Sequence, residues 1–538
     1  MKNVQVLDCT LRDGGRIINC KFEDMTIYNI ANELTESGID IVELGFLRST
    51  ELVNYDGNST FFTDVSQMSR FIPQNKKNTT YVAFIDYNMY NFEDLKECDN
   101  TSVTGIRVGF TKKQYLEDIA GIKKALYTVK EKGYKLFIQT VNSLAYSDKD
   151  MLNLVDMVNE IQPYSFGIVD TYGAMYLEDI IHYYNVVDYN LNSDICIDIH
   201  SHNNFQLSFA FAQETIRLSG DKRNIILDST LNGMGKCAGN LNTELIVDYL
   251  IRKKNYDYEL DGILDIIDRY LAPLKNNYSW GYSIPAFMAG IYKSHPNNVI
   301  YLTEKYRLSS KDIKYIISAI DEDKRQRYDY DNIQRIYKEY NSSKYDDQTT
   351  ICNLRSVLKD KDILVLVPGV TVDTFKDKIC EYADSKKMIV ISVNFIPEYL
   401  TCDYYFYANS IHWGKVYNYI EKKKSILVSS LHEHTEETNI VDYSSLLVDN
   451  SVLADNSTMM LLNLLKKLEV KSIGIAGFDG LKHNEKNYIN ELFMDNINER
   501  TIEETNREIR KMYNDFKLRT KDKINVQILL ILYIDVPA

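Results

Sequence analysis

The chain of 538 residues is too long for one ordinary core, so two or three domains are expected. Its make-up, 45% hydrophobic and 26% charged, is that of a globular protein, and a net charge of −14 argues against a general nucleic-acid binder, whose footprint would be basic. Eight cysteines without CxxC pairs point to reduced thiols and a cytoplasmic setting, and the N-terminus enters a strand with no signal-peptide pattern. The longest apolar run, Val526 to Ile534, is too short to span a bilayer and reads as a buried strand.

The first part alternates β-rich apolar runs with helical patterns. Predicted strands are Val4–Leu7, Ile39–Leu44, Tyr81–Phe84, Gly105–Val108, Lys135–Gln139, Ser165–Val169, Ile195–Ile199 and Asn224–Leu227. Apolar positions such as Leu154, Val155, Val158 and Ile161 mark an intervening helix. Eight strand–helix units predict a (β/α)8 TIM barrel over residues 1–300, with a doubly wound open sheet as the rival. Residues 301–345 read as a helical extension and linker, ending in the polar stretch Asn341–Asp347. A second strand rhythm follows over 346–538: Ile363–Val367, Met388–Val393, Tyr404–Tyr407, Ser425–Ser429, Ser472–Ala476 and Val526–Ile534. It predicts a Rossmann-like α/β domain with an open parallel sheet.

The chemistry gathers at strand ends. Asp8-Cys9-Thr10-Leu11-Arg12-Asp13-Gly14-Gly15 follows the first strand, and His200-Ser201-His202-Asn203-Asn204 follows the seventh. In a parallel barrel these ends meet at one mouth. Asp before Gly-Gly is commonly a turn residue, and paired histidines are commonly loop residues. Together, however, one carboxylate and two imidazoles two residues apart make a divalent-metal set with room for water and substrate. Asp13, His200 and His202 are therefore the expected ligands, suited to Mn²⁺ or Mg²⁺ and less to Zn²⁺ or Fe²⁺.

Arg12 beside them is placed to hold a carboxylate or an enolate oxygen. Glu43 sits inside an apolar strand and must be paired, with Arg12 or a lysine as partner, so it joins the candidate catalytic group in a supporting role. Thr171, in Asp170-Thr171-Tyr172-Gly173, offers a hydroxyl to a substrate carboxylate, though a plain turn is the alternative. Gly233 and Gly235, in the loop Asn232–Asn240, let backbone amides approach an anionic substrate. In the second domain, Val367-Pro368-Gly369-Val370 opens a helix whose amides could meet a phosphate, against the alternative of a scaffold or oligomerisation domain.

Thr10–Gly14, His200–Asn203, Gly233–Gly235 and Ala238–Asn240 resemble the DRE-TIM metallolyases, the family of hydroxymethylglutaryl-CoA lyase, isopropylmalate and homocitrate synthases and 4-hydroxy-2-oxovalerate aldolase. The short glycine loop and Asp170–Met175 look most similar to the aldolase branch. The resemblance covers about residues 1–300 and implies that Asp13, His200 and His202 bind Mn²⁺ or Mg²⁺, that Arg12 steadies a pyruvate enolate and that Thr171 contacts the oxo acid. It also implies Asn240 as a further ligand or substrate contact.

Two positions depart from the branch. Its histidine three residues after the metal aspartate is Arg16 here, and its tyrosine beyond the barrel aligns with Ala286, leaving Tyr282 nearby as the candidate proton carrier. A barrel that binds metal and oxo acid without turnover is the alternative these departures raise. The expected partners are a small α-oxo acid with an aldehyde or acyl co-substrate, in a cytoplasmic homo-oligomer with no nucleic acid and no membrane span. The second domain faintly resembles Rossmann-like domains of bacterial sialyltransferase-like and surface-polysaccharide proteins. That would make the chain bifunctional, in polysaccharide or small-metabolite biosynthesis.

Overall fold

The computed structural model describes residues 3–529 apart from 221, 307–309, 342–344, 432–436, 449–450, 452, 483–486 and 488–498. Two compact units form, Met1–Lys305 with Ile317–Asp329, and Tyr306–Ile316 with Tyr330–Ala538. The segment expected as an extension and linker is thus divided between them.

In the first unit β1 (Val4–Asp8), β2 (Ile41–Leu47), β3 (Thr80–Asp86), β4 (Gly105–Thr111), β5 (Lys135–Val141), β6 (Ser165–Asp170), β7 (Cys196–Ser201) and β8 (Ile225–Ser229) pair in parallel, in chain order. Pairing of β1 with both β2 and β8 closes the sheet, so this is the expected (β/α)8 TIM barrel and the open-sheet rival is ruled out. A strip at Phe61–Phe62 adds to β2 outside the closed set. Each strand runs one to three residues beyond the expected apolar run, because the polar residues at its C-terminal end still belong to the ladder.

The outer helices form for local reasons. Asp148–Ile161 starts at Ser147, whose hydroxyl caps the Asp150 amide, and stops at Gln162 in the left-handed region. It buries Met151, Leu154, Val155, Val158 and Ile161 at three- and four-residue spacing. Each such side chain contributes about 1.5–3 kcal/mol when fully buried.

Inside the barrel the period is two. Leu7, Ile41, Val82, Phe137, Cys196 and Ile226 form one apolar layer. Two residues further along the same strands come Cys9, Glu43, Phe84, Gln139, Asp198 and Asp228, all buried. Alternation thus turns an apolar floor into a polar layer just below the mouth.

The second unit holds a seven-stranded parallel sheet: β9 (Asp362–Leu366), β10 (Ile389–Val393), β11 (Tyr404–Tyr407), β12 (Ser425–Val428), β13 (Asn439–Val441), β14 (Ser472–Ala476) and β15 (Asn525–Ile528). Their order is β13-β12-β11-β10-β9-β14-β15, which reverses direction between β9 and β14, the doubly wound pattern. The edge strand β13 was not expected, being three residues long and without a readable period. The run Val526–Ile534 contributes only its start to β15, and 530–534 lie outside the described residues.

The Pro368-Gly369 turn does open a short helix, Thr371–Thr374. The Thr371 amide, however, donates to Asp479 Oδ2 at 2.8 Å. The chain's own carboxylate stands where a phosphate was expected, and the phosphate reading loses its support. No described helix is long and apolar enough to cross a membrane.

Candidate active site

The motif after β1 is folded by its own side chains. Asp8 Oδ1 accepts the Thr10 amide (2.9 Å), the Asp13 amide donates to the Cys9 carbonyl (2.8 Å), and Thr10 Oγ1 accepts the Leu231 amide (2.8 Å). These bonds curl the chain so that Arg12 and Asp13 turn into the mouth. On β7, His200 follows Asp198 by two residues and so faces inward as well. His202, just past the strand, bridges to Asn240 through the backbone.

The structure brings Asp13, His200 and His202 together, with one donor atom from each lying within 4.8 Å of the others. Burial alone would raise the Asp13 pKa, but Arg12, His202, His200 and Arg16 hold it well below the ordinary carboxylate range. Burial pushes His202 down to about 4, so its imidazole is neutral and keeps a lone pair. His200 Nδ1 lies 2.9 Å from Asp228 Oδ2. Asp228 is itself held at about 2 because Arg107 and His200 outweigh burial. An ionised Asp228 assigns the proton to Nδ1 and leaves Nε2 as the free donor atom.

The donor chemistry therefore fits a divalent cation: one ionised carboxylate, the neutral imidazole of His202 and the Nε2 of His200. A second cluster, Cys9, His200 and Asp228, fits less well. It would need Nδ1, already bonded to Asp228, and a thiolate, whereas burial raises the Cys9 pKa well above its usual value. The Asn240 amide nitrogen donates to Asp13 Oδ2 (3.0 Å) and the Met234 carbonyl (3.1 Å), while its buried Oδ1 has no partner among the described residues. That orphaned oxygen suits the further-ligand role expected for Asn240.

Behind the ligands runs a connected ring of charges. Arg12 Nη1 donates to Asp13 Oδ1 (2.7 Å) and Nε to Glu43 Oε2 (2.6 Å). Glu43 Oε1 lies 3.2 Å from Arg107 Nη1, and Arg107 Nη2 contacts Asp198 (3.1 Å) and Asp228. Asp228 closes the ring on His200. Burial and the adjacent Asp228 push the Asp198 pKa well up, and Gln139 Nε2 donates to it at 2.6 Å.

Glu43 is fully buried, and its ion pairs among the described residues are with the two arginines, behind Arg12. Arg107, Asp198, Asp228 and Gln139 were not singled out in the sequence. The signal that marked Glu43, a charge in an apolar run, marks Arg107 and Asp198 equally.

Thr171 Oγ1 accepts the Asn142 amide at 2.8 Å, which leaves its own proton to donate. The glycines act by being small. A Cβ on Gly235 would meet the Asn240 amide nitrogen at 2.4 Å. Gly239, at φ +77°, has no room for one beside the Gly233 carbonyl at 1.8 Å. Gly235 thereby admits the Asn240 side chain to Asp13, while a Cβ on Gly233 would meet Asn242 Oδ1 at 2.9 Å. Asn204, unnoticed within its motif, ties loops together: its amide nitrogen donates to the Tyr172 carbonyl (2.9 Å) and its oxygen accepts the Ala238 amide (3.1 Å). Tyr282 is not brought into the cluster; its side chain is exposed, on a segment that the Gly281 amide joins to the Cys237 carbonyl.

Residues 3–268 match the HMGL-like family model, so the barrel is an HMGL-like domain of the DRE-TIM metallolyase family. Enzymes of this family are metal-dependent lyases, aldolases and synthases. A 2-isopropylmalate synthase of Geobacillus sp. is 22% identical over 271 residues, 47% of this chain and 49% of that protein. A 4-hydroxy-2-oxovalerate aldolase of Moorella thermoacetica is 23% identical over 321 residues, 58% of this chain and 90% of that protein. The match thus spans about half of the synthase and most of the aldolase. Among solved structures, the N-terminal domain of a putative aldolase from Bacteroides vulgatus aligns with a TM-score of 0.48 at 22% identity, over 56% of this chain and 98% of that one.

Proposed function

We propose that the barrel is a divalent-metal-dependent carbon–carbon lyase or aldolase acting on an α-oxo acid such as pyruvate, similar to 4-hydroxy-2-oxovalerate aldolase. The observation that carries this reading is the convergence of Asp13, His200 and His202 beside an arginine with a free donor. Arg12 spends Nε and Nη1 on Glu43 and Asp13, and its Nη2 makes no hydrogen bond among the described residues. When bound, Mn²⁺ or Mg²⁺ would supply Lewis acidity towards the oxo and carboxylate oxygens.

The chain's own residues do the rest. Arg12 Nη2 meets the charge that develops on the oxo oxygen, in a buried site where a fixed donor is worth more than in water. Glu43 fixes the plane of that guanidinium. Thr171 donates to the substrate carboxylate. Proton transfer is assigned to water, since Arg16 occupies the branch's histidine position and Tyr282 stands exposed outside the cluster.

The test is exchange of the pyruvate C3 protons for deuterium. Exchange is expected with Mn²⁺, is lost on chelation, and is lost in Asp13→Asn together with bound metal by elemental analysis. A wild-type protein that binds metal and pyruvate without exchanging would favour the non-catalytic barrel that Arg16 and Ala286 suggest. Full metal content in Asp13→Asn would remove Asp13 from the ligand set.

A further inference from the structure

Two cations at the mouth are left over by the reading above. Arg16 lies in the turn after Asp13, with its Nε 3.4 Å from Asp13 Oδ1 and its guanidinium 4.7 Å over the Phe46 ring. Asp13 is already shared between Arg12 and Asn240, so it leaves Arg16 poorly compensated. Lys236 stands on the glycine loop. Its Nζ donates to a neutral oxygen, Asn297 Oδ1, at 3.2 Å and forms no ion pair with a described carboxylate.

The two loops touch, because a Cβ on Gly14 would lie 3.3 Å from the Met234 carbonyl. Arg16 and Lys236 each leave these touching backbones two residues on. Burial and then the Arg16 charge depress the Lys236 pKa, as expected for like charges placed close together. Arg48 also stacks on Phe46, at 4.3 Å, but is paired with Asp86. His295 adds no charge, its pKa being pushed down to about 4 by burial and by Lys236 and Arg16.

In a chain of net charge −14, two cations on touching loops stand out when one shares a carboxylate already held by Arg12 and Asn240 and the other has none among the described residues. Their repulsion in a half-buried place is relieved by an anion from outside. In the reading above the oxo-acid carboxylate is met by the metal and Thr171, so this anion belongs to another part of the reacting molecules.

We propose that Arg16 and Lys236 form a subsite for an anionic group, a phosphate monoester or a second carboxylate, on the carbonyl co-substrate. This rests on the aldolase reading above and narrows it from neutral aldehydes to acidic ones. Arginine at position 16 thus exchanges the branch's histidine for a specificity residue.

The experiment uses the full chain loaded with Mn²⁺. Calorimetry measures binding of inorganic phosphate and of succinate to the wild type, Lys236→Met, Arg16→Gln and Lys236→Arg, each checked for an unchanged thermal unfolding profile. At least one anion should bind. The two charge-removing variants should weaken it by about tenfold or more, the ordinary effect of losing a charge-assisted contact, and Lys236→Arg should restore it. Aldol addition of pyruvate to glyceraldehyde 3-phosphate, succinic semialdehyde and propionaldehyde then reads specificity. The wild type should favour the acceptor whose anion binds, and the preference over propionaldehyde should collapse in Lys236→Met. If neither anion binds, or if the variants bind it as the wild type does, the subsite is wrong. Pyruvate C3 exchange needs no acceptor, so its absence sinks the aldolase reading alone while calorimetry still decides the subsite.

Discussion

Asp8 shows how much one residue of the opening motif does away from the chemistry. It is buried and meets no cation; Thr243 Oγ1 donates to its Oδ2 at 2.6 Å and the Thr10 amide to its Oδ1. Burial outweighs these bonds and pushes its pKa up to about 6. A carboxyl raised on folding stabilises fully below its unfolded value near 4, and that contribution is lost as pH rises through about 6. Asp8→Asn keeps an acceptor for Thr10 and removes the titration. Urea midpoints of wild type and variant should therefore diverge between pH 4 and 7, the wild type losing stability relative to Asn. Parallel pH profiles would show that Asp8 is ionised throughout.

At the scale of strands, the decisive fact is that inward residues recur every second position. Asp198 and His200 face the mouth for the same reason that Cys196 faces the floor. Arg107 on β4 reaches acids on β2, β7 and β8 and so ties four strands together. Arg107→Met removes the cation, leaving Glu43 with Arg12 alone and Asp228 without a guanidinium partner in a dry interior. Loss of one partner of a buried ion pair costs about 3–5 kcal/mol. The barrel should unfold at clearly lower urea, and metal affinity should fall because Asp228 no longer holds His200. Unchanged stability would mean that water reaches this layer.

For the molecule as a whole, the division into units does not follow the chain in one cut. Ile317–Asp329 belongs with the barrel unit. There the Arg325 carbonyl accepts from the His295 amide (2.7 Å) and Asn298 Nδ2 (3.0 Å), the Arg327 carbonyl from Asn298 Nδ2 (2.9 Å), and the Gln326 carbonyl from Tyr172 Oη (3.1 Å). Asn298 is buried, so losing these acceptors leaves its amide with Ser294 Oγ alone. A fragment ending at 329 should exceed one ending at 300 in stability by about 2–4 kcal/mol, from roughly 1 kcal/mol per hydrogen bond. Equal urea midpoints for the two fragments would make the segment dispensable.

The sequence by itself determined the eight barrel strands and the strand ends on which Asp13, His200 and His202 stand. Those depend on local periodicity and on motifs at strand ends, which a short window contains. Glu43 was readable as a residue needing a partner, because a charge in an apolar strand has no other way to be buried. Which partner it takes, the closure of β8 onto β1, the ring through Arg107 to Asp228, and the touching of the loops at Gly14 and Met234 were decided only by tertiary structure. The residues in each of these contacts stand tens to hundreds of positions apart, and only the curvature of the closed sheet brings them within a few ångströms. The Asp479 carboxylate at the Thr371 amide belongs with them: the turn looked open to a phosphate until the fold supplied an anion from a distant strand end.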